Sequence, residues 1–141
     1  MVKTFYLMRH AQTRFNVQGR IQGACDSPLT DEGIEQAKAA RRYFEQEGIS
    51  FTRVYWSTQE RACDTAELAT GRVDYIRLKG IKEMDFGAYE AHQEYLNPPV
   101  HHEDGSGYRD FFVRYGGEST AQVYERMERT IREVLEARKG R

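Results

Sequence analysis

The chain has 141 residues, 39% apolar and 30% charged, with a formal net charge of −1, a balance that gives one globular domain with a real core and excludes a disordered chain. Charges of both signs are interspersed and no run of about 18 apolar residues occurs, so neither nucleic acid nor membrane is an expected partner. The apolar run in the opening MVKTFYLMRH is too short for a signal segment, and Cys25 and Cys63 lack metal-ligand spacing, so we expect a cytoplasmic protein with two reduced thiols.

Val2 to Met8 is mostly apolar and ends abruptly in Arg9-His10-Ala11-Gln12-Thr13, which predicts a buried parallel strand with polar groups at its carboxyl edge. That edge is where open α/β folds bind ligands. Glycines, Asn and Asp mark a loop from Asn16 to Pro28. Thr30 then offers a hydroxyl cap to a helix favoured by Asp31 and Glu32, with Ile34, Ala37, Ala40 or Arg41, and Phe44 on its apolar stripe. Gly48 ends it. Phe51 to Trp56 predicts a second strand, after which Ser57 or Thr58 caps a helix running to Gly71, and Val73 to Leu78 alternates as a third strand would.

Alternating strands and helices predict a three-layer α/β/α sandwich with a mostly parallel sheet. Residues 87–117 interrupt the alternation with two prolines, several glycines and aromatics, and three histidines, and read as a long functional loop or lid. Tyr89, Tyr95, Tyr108 and Phe111 within it form either a substrate lid or packing. The last predicted element is a helix from Thr120 to about Lys139, opened by a capping box between Ser119 and Gln122 and carrying Val123, Met127, Ile131 and Val134 or Leu135 at helical spacing. All of this fits one domain over residues 1–141.

Five separated segments stand out, Leu7 to Thr13, Asp26 to Gly33, Ser57 to Ala66, Lys82 to Glu90 and Gly116 to Ser119. Together they resemble those of the phosphohistidine, or phosphoglycerate-mutase-like, superfamily. Leu7-Met8-Arg9-His10-Ala11-Gln12-Thr13 is similar to its R-H-G-E/Q-T signature, with Ala11 where the family usually has Gly. Asp26-Ser27-Pro28-Leu29-Thr30-Asp31-Glu32-Gly33 resembles D-x-P-L-T-x-x-G, and Ser57 to Ala66 resembles S-S-x-x-x-R-A-x-x-T-A. Lys82 to Glu90 resembles L-x-E-x-x-F-G-x-W/F-E, and Gly116-Gly117-Glu118-Ser119 matches the G-G-E-S of phosphatase-type members.

The resemblance implies that His10 is the nucleophile and that Arg9 and Arg61 are guanidinium clamps on the transferring phosphoryl group. It implies further phosphate or substrate contacts from Asn16, Gln22 and Gly23, and proton donation to the leaving alkoxide by Glu83, with Asp85 as the competing carboxylate. An imidazole suits the task because its ordinary pKa near 6.5 leaves it neutral, and so nucleophilic, at pH 7. No metal or other cofactor is implied, since arginines supply the charge a cation would bring.

The implied function is hydrolysis of small phosphate monoesters, the partner being a small phosphorylated metabolite. A phosphoglycerate mutase and a catalytically impaired phosphate-binding module are the alternatives. The family's second histidine lies in a V-x-x-V-S/T-H-G strand after the long helix, and the sequence stops at Arg141 before any such strand. We therefore expect a C-terminally incomplete phosphoglycerate-mutase-like sandwich with an exposed sheet edge and a tendency to form homodimers. His92, His101 and His102 lie in the lid, upstream of the helix, and read as loop residues.

Overall fold

The computed structural model describes residues 4–137. The first turn, α1 (Arg14–Val17), is closed by a capping box between Thr13 and Asn16. Helix α2 (Asp31–Gln46) begins at Thr30, whose hydroxyl accepts the Gly33 amide, as the sequence predicts. It buries Gly33 and Ala37. Gly33 sits so close to the Gln12 carbonyl that a side chain there would collide with it, and the Thr30 amide also bonds that carbonyl. The segment after His10 is thereby fixed to the start of α2.

Strand β1 (Tyr55–Trp56) pairs in parallel with β2 (Ile76–Arg77), in the register Tyr55 to Ile76 and Trp56 to Arg77. Helix α3 (Glu60–Thr70) forms the crossover between them and packs on α2. This β-α-β unit is the parallel arrangement expected from the alternation of elements. Gly71 ends α3 in the left-handed region at φ 67°, where a side chain would also meet the Arg41 guanidinium.

Two local expectations are corrected. The run ending at Met8 is not buried: Tyr6 and Met8 are about half exposed and Leu7 fully so, and no strand is assigned over Thr4 to Met8. Its apolar packing is to one side, where Tyr6 meets Phe44 and Phe51 edge-on at 6.0 and 5.5 Å. Val2 and Lys3 lie outside the described residues, as does Lys139 at the predicted end of the last helix. Nor do Ser57 and Thr58 cap α3. Gln59 is the cap residue, and the first-turn amide of Glu60 is accepted instead by Asp26 Oδ2 at 2.7 Å from the opposite loop. A carboxylate at a helix N-terminus is favoured by the macrodipole, so this cap across the fold displaces the local hydroxyl.

Residues 87–117 contain three single-turn helices at Gly87–Tyr89, Glu94–Leu96 and Val113–Tyr115. Their aromatics converge on Phe112, which is wholly buried and meets Phe86, Tyr89, Tyr108 and Phe111 edge-to-face at 4.9 to 5.4 Å. Burying one such ring contributes about 1.5–3 kcal/mol, so this cluster gives the segment a core of its own. Helix α4 (Thr120–Glu136) opens with the predicted Ser119–Gln122 capping box. It lies against the Lys79–Ile81 turn, where Gly80 leaves room for Thr130. Among the described residues no helix is long and apolar enough to cross a membrane.

Candidate active site

His10 leaves the extended N-terminal segment half-buried, and its ring Nδ1 lies 2.7 Å from the carbonyl oxygen of Ala11. A carbonyl can only accept, so Nδ1 carries the proton and the lone pair stands on Nε2. Burial holds the imidazole pKa below its ordinary 6.5, the Arg61 and Arg9 guanidiniums lower it further, and the Ala11 bond and Glu83 act in the opposite sense. The neutral form therefore prevails at pH 7. The backbone beneath the ring is pinned to α3, because the Ala11 amide donates to Thr65 Oγ1 at 3.0 Å and that hydroxyl donates to the Arg61 carbonyl at 2.7 Å.

The loop after His10 is built on Thr13, which is fully buried. Its hydroxyl accepts from the Asn16 amide and from Gln22 Nε2 at 2.9 Å, while Asn16 Oδ1 accepts from the Thr13 backbone. Gln22 Oε1 in turn accepts from Ser27 Oγ at 2.6 Å. The predicted binding residues Asn16 and Gln22 are thus oriented by one shared hydroxyl. Each keeps amide hydrogens beyond those these bonds use.

Arg61 is 1% exposed. Its Nη1 donates to the Cys25 carbonyl and pairs with Asp26, and its Nη2 donates to the Gly23 carbonyl and to Gln59 Oε1. Gln59 Nε2 also bonds the Gly23 carbonyl. On its other side the loop is held by Glu90, whose carboxylate accepts the amides of Gly23, Ala24, Cys25 and Phe86 at 2.7 to 3.2 Å. Gly23 lies so tightly against Met84, Phe86 and Glu90 that a Cβ would overlap all three. The Cys25 thiol beside Glu90 is pushed up to about 11, chiefly by burial and then by this carboxylate.

Glu83 approaches from the segment between β2 and residues 87–117. Its backbone amide bonds Gln59 Oε1, and one carboxylate oxygen accepts the Met84 amide at 2.8 Å. Arg126 of α4 fixes this segment from behind, donating to the carbonyls of Gly80, Lys82 and Glu83 while forking onto Glu118 at 2.7 and 3.0 Å. Asp85 is turned elsewhere, accepting the Gly87 amide. Arg9, Gln22 and Glu83 line a cavity of about 500 Å³ together with Glu94, Tyr95, Asn97 and Tyr108 of the 87–117 segment.

The family description "Histidine phosphatase superfamily (branch 1)" matches residues 5–141. The chain belongs to this superfamily. Among curated relatives, a 6-phosphofructo-2-kinase/fructose-2,6-bisphosphatase of Caenorhabditis elegans is 33% identical over 135 residues, covering 94% of this chain and 29% of that protein. A probable phosphoglycerate mutase GpmB of Proteus mirabilis is 40% identical over 87 residues, covering 60% of this chain and 40% of that one. The chain thus spans well under half the length of either relative.

Among solved structures, the alpha-ribazole phosphatase of Shigella flexneri superposes with a TM-score of 0.74 at 28% identity, over 94% of this chain and 67% of that one. A phosphoglycerate mutase from Bacillus anthracis, 23% identical, gives a TM-score of 0.76 over 91% of this chain and 65% of that one. The chain therefore has the phosphoglycerate-mutase-like α/β fold expected from its sequence.

Of the predicted site residues, His10, Arg9, Arg61 and Glu83 gather electrostatically around one imidazole, and Gln22 joins Arg9 and Glu83 at the cavity. Gly23 spends its amide on Glu90 and its carbonyl on Gln59 and Arg61, so its part is to let the loop approach. His92, His101 and His102 do not line the cavity. The sequence reading missed the organising roles of Glu90, Gln59 and Arg126. Glu90 closes the Lys82 to Glu90 motif and was legible there as a motif position, but its four amide partners come from loops up to 67 residues away.

Proposed function

We propose that this chain is a phosphomonoesterase that works through phospho-His10 on a small phosphorylated metabolite in the cytoplasm. The observation that carries the reading is the His10 tautomer: Nδ1 is committed to the Ala11 carbonyl, which leaves a neutral Nε2 lone pair beside two guanidiniums and one carboxyl group. Nε2 forms a bond to phosphorus as the ester P–O bond breaks, and the departing alkoxide takes a proton from Glu83. Water then attacks the phosphoryl group, Glu83 recovers a proton from it, and inorganic phosphate leaves with neutral His10 restored.

Arg9 meets the equatorial oxygens, Arg61 adds positive charge at a distance while its Nη groups hold the loop, Asn16 and Gln22 offer amide N–H donors, and Gly23 lets the backbone come close. The two guanidiniums do the charge neutralisation that a metal ion performs in other phosphoryl-transfer sites.

Acid–base quenching during turnover of p-nitrophenyl phosphate tests this. The expected phosphoenzyme survives alkali and is lost in acid, as a phosphoramidate is, and is missing from His10→Ala. A phosphoenzyme that persists in His10→Ala would sink the assignment. Glu83→Gln should slow alkyl phosphates at least tenfold more than the nitrophenyl ester, whose leaving group needs no proton. Equal loss on both esters would remove Glu83 as the acid.

A further inference from the structure

The cavity shares Arg9 and Glu83 with the electrostatic surroundings of His10. Arg9 is the one cation among its described lining residues, which also include Gln22. The wall it takes from residues 94–108 includes Glu94, Tyr95, Asn97 and Tyr108, with no basic residue. Tyr108 is within electrostatic reach of both Glu94 and Glu83. The amide oxygen of Asn97 is itself buried with no hydrogen-bond partner among the described residues. A buried acceptor left without a donor costs about 1–3 kcal/mol, so a ligand that brings an N–H or O–H to this wall gains by supplying one.

We propose that this wall selects the alcohol part of the substrate: a polar alcohol rich in hydrogen-bond donors and carrying no second anionic group. This rests on the reading of His10 as the phosphoryl acceptor. With Arg9 committed to the phosphoryl oxygens, a second phosphate or a carboxylate on the substrate would face Glu94 with no counter-charge, whereas hydroxyl or ammonium groups would meet acceptors at Glu94 and Asn97. Exposed Tyr95 and half-buried Tyr108 supply flat apolar surface for the carbon skeleton. Glu94 and Asn97 are thus specificity-determining residues.

Glycerol 1-phosphate and 3-phosphoglycerate make a matched pair, differing only in a terminal hydroxymethyl or carboxylate group. Calorimetric binding of each to the His10→Ala chain reads this wall without any turnover. We expect glycerol 1-phosphate to bind roughly tenfold more tightly, and Glu94→Gln to shrink that ratio at least threefold by removing the like charge. Equal affinities, tighter binding of 3-phosphoglycerate, a ratio indifferent to Glu94→Gln, or binding of neither ester would each overturn the proposal. Discrimination in binding without a phosphoenzyme in the unsubstituted chain would sink the phospho-His10 reading and leave the selectivity standing.

Discussion

Thr65 takes the backbone amide of Ala11 at 3.0 Å and returns its own hydroxyl proton to the carbonyl of Arg61 at 2.7 Å. One hydroxyl therefore couples the residue after the imidazole to the helix turn that carries the guanidinium. Thr65→Val keeps the shape and removes both bonds, leaving a buried amide without an acceptor, and should cost about 1–3 kcal/mol. Urea denaturation measures this, and a loss under 0.5 kcal/mol would show the link to be dispensable.

Protonation of His10 gives a signed pH dependence. Its folded pKa lies below 6.5, so the folded site resists a proton that the unfolded chain accepts. Stability therefore falls as pH drops through 6.5 toward the folded value and is unaffected by this group above 6.5. The acid limb of kcat/KM should lie below pH 6.5, because only neutral imidazole attacks. Titrating the ring by NMR checks the direction, and a folded pKa above 6.5 would contradict it.

Glu118 has the opposite sign. Arg126 holds its carboxyl below the ordinary 4.5, so the stability this pair adds is present above pH 4.5 and is lost as pH falls through the folded value. Removing the guanidinium with Arg126→Ala frees three carbonyls behind Glu83 and should cost about 2 kcal/mol. Because Arg126 positions Glu83 rather than touching substrate, alkyl phosphates should slow more than nitrophenyl phosphate in this variant. Uniform slowing would reduce its role to stability.

Much of this was legible in the sequence. Thr30 and Ser119 cap their helices as read, because cap chemistry is local, and three of the motifs named Arg9, Arg61 and Glu83, which meet at His10. The failures are nonlocal. Ser57 is a sound cap by propensity, yet Asp26 reaches the first turn of α3 from 34 residues upstream. The apolar run before Arg9 reads as buried because its residues are hydrophobic, but burial needs covering partners that no residue within the run can specify. Glu90 has no periodicity or spacing that announces four backbone amides.

Glu90→Ala should loosen the loop from Gly23 to Cys25, costing roughly 2–4 kcal/mol by orphaning four amides. Glu90→Gln keeps one acceptor oxygen and should cost less. The same loss should acidify the Cys25 thiol, now pushed up to about 11, so alkylation by iodoacetamide at pH 8 should speed up in both variants. Unchanged alkylation would show that Glu90 does not govern the thiol.

Gly23→Ala should destabilise the same loop, since its methyl would overlap Met84, Phe86 and the Glu90 carboxylate. A destabilisation of about 1–3 kcal/mol is expected from overpacking. Thermal unfolding measures it, and a neutral result would mean that the loop yields freely.

The cap that Asp26 gives to Glu60 and the bonds that Arg61 gives to Gly23, Cys25 and Asp26 run in opposite directions between the same two pieces of chain. Neither piece is finished alone: the first turn of α3 wants an acceptor it does not encode, and the loop carbonyls want donors found only on that turn. Their assembly is a single nonlocal event in folding, and their amides should open to hydrogen exchange together, so that the Gly23–Asp26 loop cannot come apart while α3 stays intact.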